Sequence, residues 1–213
     1  MPTGTTGAPG WRTVPLRAMS RRRPLPFPLA LGLVVAGLLA ACGGGAPSFD
    51  PTGVCVVDGA APGAYPDLEA RIPTTFEEKD PETLDSGRNC TATNLGSLGE
   101  AGHDEVRFAG GTWDFGGNRA AALVVFSAPD LTADQVATFY AESAAAANRT
   151  EITGESTATM AGETVHRLDS TTGNRLQTVV VWPAAEPGIV NIVITNDLPD
   201  PKIEAAVAAF GGS

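Results

Sequence analysis

The feature that most constrains the fold is a series of four strand-like segments near the end of the chain, joined by short connections. The segments cover residues 156–160, 163–170, 176–182 and 189–195, and each is rich in β-branched or apolar residues. Turn-forming residues, among them Thr172-Gly173-Asn174 and Pro187-Gly188, separate them at hairpin spacing. Because connections this short can join only antiparallel neighbours, the pattern predicts a four-stranded meander.

Further strand-like segments precede the meander. Apolar and polar residues alternate over 106–108 and again over 113–115, and Gly110-Gly111 between them predicts a turn or a bulge. A third segment covers 119–127. Its run Leu123-Val124-Val125-Phe126 is apolar on both faces, which is typical of a central buried strand.

Two amphipathic helices accompany these strands. The first begins after Thr132, which forms a capping box with Gln135 three residues later. The second has Asp200 as its N-cap, Pro201 in its first turn and Gly211 at its end. The order of elements predicts a single α+β domain, in which both helices pack on one face of a twisted antiparallel sheet of about five or six strands.

The amino-terminal segment carries a targeting pattern. Arg21-Arg22-Arg23 precede an apolar stretch from Leu25 to Ala40, which ends in Leu39-Ala40-Ala41-Cys42. This arrangement resembles the signal segment and lipobox of bacterial lipoproteins. The resemblance implies export, attachment of diacylglycerol to the Cys42 sulfur, cleavage before Cys42, and a lipid anchor on the extracytoplasmic face of the cell membrane. The remainder of the chain resembles no family that we recognise.

An uncleaved transmembrane helix is the alternative interpretation of the apolar stretch. A membrane span needs about 20 apolar residues, and Pro24, Pro26 and Pro28 interrupt the start of this one. The predicted organisation is therefore an over-extended translation start (1–18), a signal peptide (19–41), a Gly- and Pro-rich lipidated tether (42–64) and an extracytoplasmic domain (65–213).

Charge limits the partners of the exported part. The five arginines before Cys42 leave nine of the 14 basic residues against all 24 acidic ones, which gives a net charge of −15. A domain this acidic is not expected to bind nucleic acid or to dock electrostatically on anionic lipid.

The cysteines agree with export. If Cys42 is lipidated, Cys55 and Cys90 remain as an even pair in an oxidising compartment, which favours a disulfide over two free thiols. A metal pair is disfavoured because no CxxC motif or nearby histidine accompanies either cysteine. The bond would pin residues 73–103, which show no sustained period and are predicted as a polar loop with one short strand near Cys90.

No set of residues predicts catalysis or a cofactor. Ser156 lies in a sequence that loosely resembles the nucleophile elbow of α/β-hydrolases, but a strand rather than a helix follows it. His166 has no orienting partner visible in the sequence and is interpreted as a packed or hydrogen-bonded histidine. His103, Asp104 and Glu105 are weak metal candidates, because consecutive residues of a strand point to opposite faces.

Three aromatic residues near strand ends, Trp113, Phe115 and Trp182, are a candidate face for a ligand or partner, with core packing as the simpler interpretation. The sequence therefore predicts a non-enzymatic lipoprotein of the cell envelope with a binding or accessory role toward an envelope protein or a small ligand. One alternative is a small-solute-binding lipoprotein associated with transport. Another is an envelope hydrolase that uses carboxylates or a metal near His103.

Overall fold

The strands join into one antiparallel sheet, which is wider than the sequence predicts. A computed structural model of the chain describes residues 49–210. Within them, eight strands lie in the order β1-β2-β3-β4-β8-β7-β6-β5, and every neighbouring pair is antiparallel. The strands are Gly59–Ala61 (β1), Thr83–Asn89 (β2), Val106–Gly116 (β3), Arg119–Ser127 (β4), Thr150–Met160 (β5), Glu163–Thr172 (β6), Arg175–Pro183 (β7) and Ile189–Asn196 (β8).

Five helices complete the described part: Pro66–Glu69 (α1), Ala92–Leu95 (α2), Ser97–Glu100 (α3), Ala133–Ala146 (α4) and Asp200–Phe210 (α5). In residues 49–210 no helix has the length and apolar character that crossing a bilayer requires. The predicted signal peptide, Cys42 and the helix-ending Gly211 lie outside the described residues.

The α+β class and the antiparallel sheet are confirmed, but the predicted number of five or six strands is wrong. β1 comes from the segment predicted as tether, whereas β2 ends at Asn89, where the sequence predicts one short strand near Cys90 within a polar loop. Residues before position 65, where the sequence placed the domain boundary, already belong to the sheet, because Gly59 to Ala61 pair with Arg88 to Ser86 of β2.

Neither the turn nor the bulge predicted at Gly110-Gly111 occurs, because β3 runs through both glycines in unbroken register with its neighbours. Gly111 instead makes room for core side chains. A Cβ atom there would lie 2.8 Å from Cη2 of Trp113 and 3.0 Å from Cγ2 of Ile72. The glycine signal therefore reflects close packing over a strand rather than a change of chain direction.

The helices pack on opposite faces of the sheet, so the prediction that both share one face is wrong. Val124 and Phe126 of β4 belong to the hydrophobic cluster that contains Val136 of α4. The alternate residues Leu123 and Val125 belong to a second cluster, with Ile203 of α5. Because successive side chains of a strand point to opposite faces, a run that is apolar on both faces needs a cover on both.

Two local predictions are confirmed. Gln135 N donates to Thr132 Oγ1 at 3.3 Å, and Thr132 N donates to Gln135 Oε1 at 2.9 Å, which completes the capping box of α4. Cys55 and Cys90 form a disulfide with a Cα–Cα distance of 6.0 Å. The bond fastens the segment before β1 to the end of β2.

Candidate binding groove

A groove lies between α4 and the outer strands β5 and β6, and it encloses about 510 Å³. Its floor is apolar, formed by Leu168 of β6 with Val179 and Val181 of β7. Ala137 and Ala141 of α4 form part of the facing wall. Because residues four apart share a helix face, the two short side chains leave space between α4 and the sheet.

The rim of the groove is acidic. Asp134 and Glu142 of α4 and Glu155 of β5 line it, and all three are exposed. The backbone of Arg167 borders the same groove, but its guanidinium lies on the α5 face, where it pairs with Asp169 at 2.8 Å and Asp200 at 2.9 Å. Arg167 therefore does not neutralise the acidic rim, although its backbone borders the groove.

His166 lies across the groove from α4. Its Nε2 is 2.9 Å from Oδ1 of Asp134, and its side chain is 36% exposed. Asp134 is therefore a close carboxylate partner of His166, at ion-pair distance, that the sequence did not reveal. Thr157 pairs with His166 across the β5–β6 ladder, although no hydrogen bond joins the hydroxyl to the imidazole among the described residues.

Tyr140 borders the groove and carries a buried hydroxyl group. Tyr140 lines the groove, is 8% exposed and stacks on Phe126 with ring centroids 6.3 Å apart. Within residues 49–210 its hydroxyl has no hydrogen-bond partner. Burial raises the pKa of the phenol well above its ordinary value, so the hydroxyl group is neutral.

The β5 side of the groove is an open wall. β5 is the last strand of the sheet, and Glu155, Ser156 and Thr157 are exposed along it. Ser156 lies inside this strand rather than at a strand-to-helix turn, as the sequence indicates. The groove is therefore a surface furrow along a sheet edge and not an enclosed chamber.

The two tryptophans of the candidate aromatic face are core residues. Trp113 is 1% exposed, and its Nε1 donates to the Lys79 carbonyl oxygen at 2.9 Å. Trp182 is 2% exposed and meets the ring of Phe210 edge to face. Both lie on the α5 side of the sheet, away from the groove, and neither offers a surface to a partner.

Phe115, the third residue of that face, is partly buried against the same cluster. The ammonium groups of Lys79 and Lys202 lie 5.1 Å and 5.3 Å from its ring centroid, and Lys202 also pairs with Glu77 at 2.7 Å. The two lysines of the chain are therefore already engaged in contacts that fix α5 and the loop before β2 against β3.

The candidate metal ligands do not converge. His103 Nε2 lies 3.2 Å from Gln135 Oε1, whereas Glu105 pairs with Arg88 at 3.2 Å and with Arg107 at 2.8 Å. Asp104 points to solvent. Among the residues from 49 to 210, no group of three or more His, Cys, Asp or Glu side chains could hold a metal ion.

The fold and the groove define an α+β domain with one open sheet edge beside an acidic furrow. A scan against protein-family models and a search of curated proteins each found no match. Sequence reasoning had missed Asp134, Glu142 and Glu155, because three exposed acids among 24 carry no distinguishing pattern. The available signal was the alanine content of α4, whose small side chains make the groove.

Proposed function

We propose that the chain is a lipoprotein of the bacterial cell envelope, anchored through lipid on Cys42, whose domain binds a cationic partner in the groove between α4 and β5. The sequence pattern that ends in Leu39-Ala40-Ala41-Cys42 supports the anchor. The groove supports the binding role, since it is an apolar furrow bordered by three exposed carboxylates. In this role the domain captures its partner and does not transform it.

The observation that carries the binding role is the acidic rim above an apolar floor. A lysine or arginine side chain matches both parts, because its methylene stem can cover apolar surface while its charged end stays in water near the carboxylates. Each such pair of charges at the surface contributes about 0.2–1 kcal/mol, so several pairs and the apolar contact must act together.

A protein partner fits the groove better than a small solute does. Solute pockets usually bury most of the ligand surface, whereas this groove has an exposed wall at Glu155, Ser156 and Thr157. Lipid on Cys42 would supply the membrane attachment that a domain of charge −15 does not obtain from anionic lipid.

The anchor is tested by expressing the full chain in bacteria with a clickable palmitate analogue. The wild-type chain is expected in the membrane fraction with label, and Cys42→Ala is expected to lose both label and membrane attachment. The variant Cys55→Ser with Cys90→Ser is the matched control and should keep its label. Label that persists in Cys42→Ala would contradict the proposed anchor.

The binding site is tested with a photo-crosslinking amino acid placed at Thr157, in the groove, or at Thr83, an exposed threonine near the opposite edge of the sheet. Crosslinks to envelope proteins are expected from position 157 and not from position 83. Glu142→Lys with Glu155→Lys should abolish the adduct from position 157. Equal crosslinking from both positions, or an adduct that survives the charge reversal, would reject the groove as the binding site.

A further inference from the structure

We propose that β5 accepts an extended, cationic segment of another protein as an additional antiparallel strand of the sheet. This inference rests on the proposed binding function and gives the conformation and the sequence character of the partner. The added segment would lie along β5, with every second side chain directed to the α4 face beside the groove.

The backbone edge of β5 is available for this pairing. β5 contains 11 residues and pairs with β6 alone among the described strands. An edge strand presents a row of backbone N–H and C=O groups on its outer side, and these groups can pair with another chain. The length of β5 provides room for several such hydrogen bonds.

β5 lacks most of the features that usually protect an edge. Proteins block free edges with charged side chains, especially lysine, and with proline, very short strands or bulges; β5 has no lysine and no proline, and its two charged residues, Glu151 and Glu155, repel an acidic strand but not a basic one. Its one irregularity lies between Ile152 and Gly154. The six residues from Glu155 to Met160 follow it in unbroken register with β6, and they form the proposed docking edge.

The two faces of the docking edge differ, and this difference specifies the partner. Glu155 and Thr157 pair with Leu168 and His166, which line the groove, so they lie on the α4 face. Ala158 and Met160 pack against the cluster on the α5 face. A segment in which Lys or Arg alternates with small or apolar residues would place cations beside the acidic rim and apolar side chains beside Ala158 and Met160.

Charge also excludes a second copy of this chain as the favoured occupant. Pairing of two β5 edges would bring together two strands that each carry Glu151 and Glu155, on chains whose part from Cys42 onward carries a net charge of −15. Like charges on adjacent strands are destabilising, and the repulsion between the domains adds to them. Charge complementarity thus favours a basic segment of another protein.

The test uses the full chain in a neutral detergent and a synthetic peptide of about eight residues, the length of a typical strand. In this peptide lysine alternates with threonine or valine. Two further peptides carry N-methyl groups on alternate amides, one on every lysine and the other on every intervening residue. Alternate amides of a strand point to opposite sides, so only one of the two sets can face β5.

The parent peptide is expected to bind, and one N-methylated peptide is expected to bind at least about tenfold more weakly while the other retains its affinity. Equal binding of both N-methylated peptides would overturn strand addition. It would leave the proposed function intact, because that function requires only that the acidic groove binds a cationic partner. No binding of the parent peptide would also overturn strand addition, and the crosslinking from Thr157 then decides separately whether the groove binds another partner.

Single Glu→Gln variants of the protein show where on its surface the peptide binds. Glu142→Gln and Glu155→Gln should each weaken parent-peptide binding about two- to fivefold, in the range of single surface charges. Glu82→Gln makes the same change at an exposed glutamate next to β2 and should leave binding unchanged. An equal loss in all three variants would show a response to net charge alone and would overturn docking at β5.

Discussion

The sheet ends on one side in β1, which is three residues long, and on the other in β5, which has 11 residues. The short edge is held by covalent and buried polar contacts that lie close to it. The long edge has exposed side chains and a groove beside it. The comparison shows that this fold fastens the chain beside its short edge with its own contacts and ends on the other side in a long strand that pairs on one side only among the described residues.

Three sets of contacts fasten the segment that precedes β1. The Cys55–Cys90 disulfide links it to the end of β2, and the buried Arg88 side chain donates to the carbonyl oxygens of Asp50 and Gly53 at 2.8 Å each. Asp58 accepts hydrogen bonds from Cys90 N, Thr91 N, the Thr91 hydroxyl and Asn94. All three hold residues 49–58, the part of the described chain nearest the proposed lipid anchor.

The largest expected effect is loss of the disulfide. Its cysteines are 35 residues apart in the sequence, so the chain-entropy account gives a stabilisation of about 4 kcal/mol. Cys55→Ser with Cys90→Ser should lower the free energy of unfolding by that amount in urea denaturation, and reduction of the wild-type chain should reproduce the loss. A loss below about 1 kcal/mol would show that the other contacts hold the β1 edge without it.

Removal of the Arg88 side chain should have the next largest effect. Arg88 is 3% exposed, and Arg88→Ala leaves two backbone carbonyl groups and part of Glu105 without their donor. We expect the free energy of unfolding to fall by about 3 kcal/mol. Arg107→Ala is the matched control, because the exposed Arg107 pairs with the same Glu105, and it should cost less than about 1 kcal/mol. Equal losses of unfolding free energy in Arg88→Ala and Arg107→Ala would show that the burial of Arg88 does not make its contacts stronger than those of an exposed arginine.

The contacts of Arg88 also show why the sequence indicated only a short strand near Cys90 and not the full extent of β2. Its sequence, Thr-Leu-Asp-Ser-Gly-Arg-Asn, has no apolar alternation, and its inward residues Ser86 and Arg88 are polar. The segment is a strand because it pairs with β3 and because Gly87 admits β1, since a Cβ at this position would lie 2.1 Å from the Gly59 carbonyl oxygen. These causes lie in tertiary contacts that no local pattern encodes.

The strands and helices whose own sequences show hydrophobic periodicity or a capping motif could be predicted from the sequence. β4 has the predicted bounds, and the meander and the capping box at Thr132 are confirmed because their signals are local, although β5 already begins at Thr150 rather than at Ser156. The position of the helices was missed, although the run Leu123 to Phe126, apolar on both faces, already requires two covers. The groove could not be predicted, because α4, β5 and β6 bring its exposed acids together only in three dimensions.

Asp58 should give a smaller effect that depends on pH. Burial raises the pKa of this carboxyl, but the hydrogen bonds from Thr91, Cys90 and Asn94 outweigh burial and hold the pKa below its usual value. The carboxylate therefore stabilises the fold above the pKa of the unfolded chain, and this contribution is lost as the pH falls through the lowered folded pKa. Asp58→Asn should cost about 1–2 kcal/mol at neutral pH.

The loss in Asp58→Asn should shrink on acidification below about pH 4, near the ordinary pKa of an aspartate, because the wild-type carboxyl is then also protonated. Urea unfolding at several pH values measures this convergence. Asp104→Asn, at an exposed aspartate without a described hydrogen bond, should remain parallel to the wild type throughout. If Asp58→Asn also remained parallel, another carboxyl would be responsible for the acid sensitivity of the β1 edge.

The smallest effect on stability is expected at the open edge, where it should accompany a large effect on binding. Ala137→Leu places a larger side chain in the groove wall and should change the free energy of unfolding by no more than about 0.5 kcal/mol, as for a surface substitution. Because the added side chain occupies the space beside the docking edge, binding of the cationic peptide should weaken about tenfold, as expected for lost access to a central contact.

Ala145→Leu makes the same change at an exposed position of α4 that does not line the groove and should alter neither the free energy of unfolding nor the affinity for the peptide. Unfolding by urea and titration with the parent peptide separate the two effects, and a stable Ala137→Leu chain that binds normally would show that the open edge is used without the groove beside it.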